Sequence, residues 1–334
     1  MTWHAIDAIR PSYHATRELL LPFSLTRWLV LAVVVFFVGW SGGFFGTGNV
    51  PSGSFIEVPG IIPTFGFDSG VDLNVNFPAV FTSIVILFVA LLAILLGILV
   101  AVISSIMQFV FVRQLITREI RIRGFFGESL WQGIHLLLFW VGIGLLLVGL
   151  MIVALILTIV TFGLFLLVLI LLIPLFLVAG IASWLFVRFT FDFVVPIMVA
   201  EESGVIEGWR RLWTEIRTDW TQYGVYAVIR FLLDIGAAFA VGLVGVFFLL
   251  LLGIPAFIVG FAVYALVSAA SPTLAVAIVI GLVSLTLLLV GALTTIIAGV
   301  PIQTFLRYYT LFVLARISPQ YDLLDEVDTA IDTW

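Results

Sequence analysis

The chain has 334 residues, of which 63% are hydrophobic and 10% charged, and its mean hydropathy is +1.32. A water-soluble domain of this size cannot hide so much apolar surface, and the runs are continuous rather than alternating as in a membrane barrel. A net charge of −5 argues against a nucleic-acid partner, and the lack of cysteine excludes disulfides, thiolate metal sites and cysteine nucleophiles.

In lipid every backbone N–H and C=O must be satisfied within its own segment, so a helical crossing reads as about 20 mostly apolar residues. Residues 1–27 carry Arg10, Arg17 and Arg27 ahead of the first apolar run, 28–45. A secretory leader would place its cleavage zone at 39–43, but this leader is long and amphiphilic, and 28–45 is read as an uncleaved first span. Residues 46–78 form a polar outer loop rich in Gly, Pro, Ser and Asn, with acids and no arginine. The second span, 79–112, is longer than the hydrocarbon layer requires. Spans three and four, 133–159 and 164–187, join in a tight turn at Thr161, Phe162 and Gly163. Spans five and six occupy 221–252 and 272–298, the last helix running on toward Arg316 past Pro301. Between them, 253–271 is apolar but interrupted by Gly253-Ile254-Pro255, and it reads equally as an extension of span five, a re-entrant piece or a seventh crossing. Residues 317–334 make an acidic tail.

All fourteen basic residues are arginine. Six spans with an inward N-terminus put Arg10, Arg17 and Arg27 in the leader, Arg113, Arg118, Arg121 and Arg123 in one inner loop, and Arg188, Arg210, Arg211 and Arg217 in the next. Arg307 and Arg316 then lie near the inner C-terminus and Arg230 at the inner end of span five, with no arginine outside, which is the positive-inside pattern. The expectation is an all-α membrane bundle, one domain over 1–334, in the cell membrane with both termini cytoplasmic.

A threefold pattern runs through it. Phe-x-Arg occurs at Phe111-Val112-Arg113, Phe186-Val187-Arg188 and Phe305-Leu306-Arg307, each time closing an even-numbered span. An amphipathic stretch precedes each expected hairpin, at 6–20, 125–134 and 205–220. The third carries Val205, Trp209, Leu212, Trp213, Ile216 and Trp220 on one face and Glu207, Arg210, Arg211, Thr214 and Arg217 largely opposite. It is expected to lie in the cytoplasmic interface, with Trp209, Trp213 and Trp220, and the helix-end Arg113, Arg188 and Arg307, as interfacial anchors.

The segment 191–220, FDFVVPIMVAEESGVIEGWRRLWTEIRTDW, combines an aromatic run, Pro196-Ile197, a carboxylate at Glu201, Gly204 and an Arg-containing amphipathic helix. It resembles the segment after the fourth helix in membrane domains related to that of glycerophosphodiester phosphodiesterase, and in uncharacterised haloarchaeal six-helix membrane families. The resemblance implies fold and layout; the catalytic barrel of those enzymes has no counterpart here. An acidic, lysine-free composition resembles that of extreme halophiles, and high-GC codon usage alone gives the same replacement of lysine by arginine.

Charges within spans are costly and mark candidate sites. Arg230 and Asp234 lie one helical turn apart in span five, and His135 and Gln108 complete a candidate intramembrane polar set. Isolated histidines without ligand-spaced partners imply no metal, and no phosphate loop, dinucleotide fingerprint or nucleophile elbow implies a cofactor or a hydrolase. The expected role is a non-enzymatic, lipid-contacting scaffold or accessory factor whose partners are membrane lipids. The alternative is a small transporter or permease with a path near Arg230, Asp234 and His135; an intramembrane hydrolase ranks third.

Overall fold

The computed structural model describes residues 4–21, 23–44, 77–119, 122–161, 163, 168, 170–269 and 271–324. Most of the expected outer loop, and the tail beyond Leu324, fall outside these residues. Helices α1 (His4–Asp7), α2 (Ile9–Leu20) and α3 (Leu25–Phe44) come first, then α4 (Phe77–Thr117) and α5 (Ile122–Val160). They are followed by α6 (Ile173–Glu201), α7 (Val205–Thr218), α8 (Trp220–Val267) and α9 (Pro272–Ile317). Five of these, from Leu87 of α4 through α5, α6, α8 and α9, are long and apolar enough to cross a membrane, and α3 contributes a shorter apolar helix.

The molecule has two contrasting ends. At one, Ile106–Leu115 of α4, Phe189–Met198 of α6 and Val300–Leu314 of α9, the last packed on α1 and α2, contribute most of the buried side chains of the main hydrophobic core. At the other, the same helices continue as shafts whose Leu, Ile, Val and Phe side chains stand outward: Leu145, Leu177, Phe239 and Phe257 are typical. Such an arrangement is stable only where the surrounding solvent is itself apolar. Along the shafts α3 packs on α4, α5 on α4 and α8 on α9.

Helix α8 resolves the ambiguity at 253–271. It runs unbroken through Pro255 for 48 residues, about 72 Å at 1.5 Å per residue, so residues 253–267 continue the same helix, and Ser271 then caps α9 through the Leu274 N–H. The stretch 125–134 likewise belongs to the body of α5 rather than to a separate interfacial helix. The expected turn at 161–163 includes Gly163 at φ +85°, a left-handed value open to a residue without Cβ, and its N–H reaches Thr158 C=O at 2.8 Å.

Two helices contain a π-helical turn, Thr190–Val194 in α6 and Thr295–Gly299 in α9. Each ends two residues before a proline, Pro196 and Pro301, and in each the following residue bonds five back: Val195 N–H to Thr190 C=O and Val300 N–H to Thr295 C=O. Proline has no N–H and its ring presses on the carbonyl four residues earlier, so the preceding turn widens by one residue rather than breaking the helix.

Candidate functional site: a buried ion network at the charged end

The wide turn in α6 places Asp192 on the interior side of that helix, one turn after Arg188. Asp192 Oδ2 accepts from Tyr226 Oη at 2.7 Å and pairs with Arg188 Nε at 2.9 Å and Arg230 Nε at 3.4 Å, while Arg307 lies 4.0 Å from Oδ1. Arg188 also reaches Asp234 at 2.5 Å, and Arg230 Nη1 lies 3.2 Å from the same carboxylate. All five charged residues are buried. Three guanidinium groups face two carboxylates, leaving one positive charge in excess. Neutral acceptors offset it: Arg307 donates to Phe191 C=O at 2.6 Å and to Gln108 Oε1. Taking five charges out of water costs several kcal/mol apiece, which ion pairing offsets only together with further hydrogen bonds, so these neutral acceptors are part of what makes the burial tolerable.

The network ties helices together. Gln108 of α4 donates onward to Val38 C=O of α3 at 3.2 Å, and Thr310 of α9 lies 3.2 Å from Tyr226 of α8. Helix α5 is joined separately: Gln132 Nε2 donates to Met198 C=O of α6 at 2.7 Å, and Arg113 of α4 pairs with Glu128 of α5 at 2.9 Å. Polar contacts therefore connect α3, α4, α5, α6, α8 and α9 at one level. Aromatic rings close the space around them, Trp140 stacking on Phe191 and Tyr226 on Tyr309.

The sequence-predicted residues separate accordingly. Arg230 and Asp234 form the expected i, i+4 pair, and Gln108 meets the same network through Arg307. His135 does not join them; its Nδ1 faces Trp131 C=O at 3.0 Å and its ring sits edge-on to that indole. Arg188 and Arg307, expected as interfacial anchors, turn inward, where the Asp192 carboxylate takes the place of the headgroup phosphates and water that an interfacial arginine would meet. Arg113 stays near the surface against Glu128. Trp209, expected in the interface, is half-buried against α6: its ring stacks on Phe186 at 4.5 Å and its Nε1 donates to Thr190 Oγ1 at 3.1 Å. Trp213 and Trp220 are exposed. Asp192, Tyr226 and Thr310 were not anticipated as members; only the i, i+4 spacing of Arg188 and Asp192 hinted at one of them.

Around the network, α7 lies across the charged end. Gly208 permits this, since a Cβ there would come within 2.8 Å of Val194. The chain after α9 returns over α7: Ser318 Oγ and Gln320 Nε2 each donate to one oxygen of Glu215 at 2.8 Å, and Tyr321 and Leu324 are buried. Burial holds the Tyr321 phenol above its ordinary pKa, so it remains a neutral hydroxyl.

A family model described as "Family of unknown function (DUF7544)" matches residues 3–324. The chain belongs to this family. No curated protein and no solved structure matches it. The DUF7544 match spans the leader helices, the shafts, the network and the return segment over α7, so these elements form one family unit. Among the described residues no group of three or more His, Cys, Asp or Glu is placed to hold a metal ion.

Proposed function

We propose that this DUF7544 protein is a non-enzymatic, lipid-contacting membrane scaffold or accessory factor, crossing the cell membrane six times with both termini in the cytoplasm. The observation that carries the reading is how the buried charges are used. Arg188, Asp192, Arg230, Asp234 and Arg307 are engaged with one another and with groups on neighbouring helices, while the shafts present apolar side chains outward. A transport path needs polar groups from several helices lining a cavity near mid-membrane. Here the network lies at one end: from Ile235 to Val267 α8 has no charged residue over about 50 Å, more than the ~30 Å hydrocarbon layer. The permease alternative is therefore not favoured. The resemblance of 191–220 to the non-catalytic membrane domains of glycerophosphodiester phosphodiesterases supports the same reading. So does arginine placement, which favours the inward orientation of the charged end.

Proteoliposomes test it. The scaffold reading expects permeability to protons, anions and small polar solutes equal to that of empty vesicles, with lipid retained on the purified protein. Saturable flux abolished by Asp234→Asn or Arg230→Gln would overturn it in favour of the permease.

A further inference from the structure

The side of α7 turned away from the protein carries an ordered gradient of chemistry. At about 100° per residue, the buried line Val205, Gly208 and Leu212 faces the core. Moving round the helix in one direction come Ile216 and Trp209, half-buried, then Trp213 and Ile206, while Trp220, beyond the non-helical Asp219, opens α8. Trp213, Ile206 and Trp220 are 51%, 79% and 72% exposed. Next is a ridge of Arg217 and Arg210, and after it Thr214, Glu207, Thr218 and Arg211, leading to Glu215 under the return segment. Apolar and aromatic, then cationic, then a mixed sector of neutral and acidic groups with Arg211 paired to Glu201 and Glu207, is the order met on passing from acyl chains through phosphates to water.

Two neighbours fix which way the aromatic flank points. Phe186, stacked on Trp209, stands at the base of the outward-facing α6 shaft. Trp220 begins an exposed line on α8 that continues through Val228, Phe231, Ile235 and Phe239. The aromatic flank is thus continuous with the lipid-facing surfaces of two shafts, and the arginine ridge lies just beyond it. Arg217 is held in place over the Trp213 ring, 5.3 Å from its centroid. Among the described residues Arg210 and Arg217 form no ion pair within 4.0 Å, whereas Arg211 beside them is engaged by Glu201 and Glu207.

We propose that Ile206, Arg210, Trp213, Arg217 and Trp220 form a docking stripe for anionic lipid headgroups, the indoles seated in the membrane boundary and the two arginines on lipid phosphates. This deepens the membrane-scaffold reading and rests on it. Because the chain has no cysteine, Ile206→Cys and, separately, Phe257→Cys on the α8 shaft can each carry a bimane fluorophore in the full-length protein. The labelled protein is reconstituted in phosphatidylcholine vesicles doped with nitroxide-labelled phosphatidylglycerol or nitroxide-labelled phosphatidylcholine. At position 206 the anionic quencher should be favoured roughly fivefold, and Arg210→Gln with Arg217→Gln should abolish that preference. At position 257 both lipids should quench alike. Equal quenching at 206 by the two lipids overturns the anionic preference, and no quenching at 206 with quenching at 257 overturns the docking stripe. No quenching at either position overturns the membrane reading as well.

Discussion

Asp192 meets more cations than any other carboxylate in the network: two guanidinium groups within 3.4 Å, a third at 4.0 Å, and a phenol. Asp192→Asn keeps the size and removes the charge, leaving Arg188, Arg230 and Arg307 facing Asp234 alone. A loss of about 3–5 kcal/mol follows from uncompensated burial, read as a fall in the thermal midpoint of the detergent-solubilised protein. Tyr226→Phe deletes one hydrogen bond to the same carboxylate, and the expected loss is about 1.5–3 kcal/mol. If both variants unfold alike, the charge on Asp192 is not what holds the helices. Arg230→Gln combined with Asp234→Asn removes one charge of each sign, so the double variant should lose less than the two singles together. Of these residues only Arg230 and Asp234 stood out in the sequence, as two charges one turn apart in an otherwise apolar run. Asp192 follows Arg188 by the same interval, but it opens a polar stretch that reads as loop. Tyr226 and Thr310 gave no signal, because what distinguishes them is the approach of three helices distant in sequence.

At the scale of helices, continuity was harder to read than existence. Apolar length located the five long helices, yet it could not tell whether Gly253-Ile254-Pro255 ended α8; the helix passes through Pro255 because only one backbone bond is forfeited in a segment otherwise fully paired. The same proline chemistry, two residues after each π turn, explains where α6 and α9 widen. The amphipathic face of α7 was legible at helical spacing, but periodicity does not say whether that face meets lipid or protein, and Val205, Gly208 and Leu212 meet protein. Close crossings were not legible at all. Gly133 of α5 is one: a Cβ there would lie 2.6 Å from Ile106 Cγ1 and 2.8 Å from Ile106 Cα. Gly133→Ala must therefore push α5 away from α4, at about 1–3 kcal/mol. The obstacle includes backbone, so adding Ile106→Ala should not rescue it. Full recovery of the thermal midpoint in that double variant would mean that side-chain crowding alone sets the spacing.

For the whole molecule, the two ends impose one orientation on the membrane if the six-span reading holds. The network, α7, the return segment over Glu215 and most of the arginines share one end, and the turn between α8 and α9 lies at the other, with Ser271 capping α9 there. In the proposed orientation the arginine-bearing end stays inside, as the positive-inside rule favours, and the acids of the tail weigh little. A chain without cysteine makes the consequence directly measurable. Single substitutions Ser69→Cys, Ser271→Cys and Thr329→Cys are treated in intact cells with a membrane-impermeant maleimide. Positions 69 and 271 should label before lysis and position 329 only after it. Labelling of 329 from outside together with 69 and 271 would mean that α9 makes no net crossing, overturning the six-span arrangement while leaving the fold of the charged end intact, whereas labelling of 329 without 69 and 271 would overturn the inward orientation.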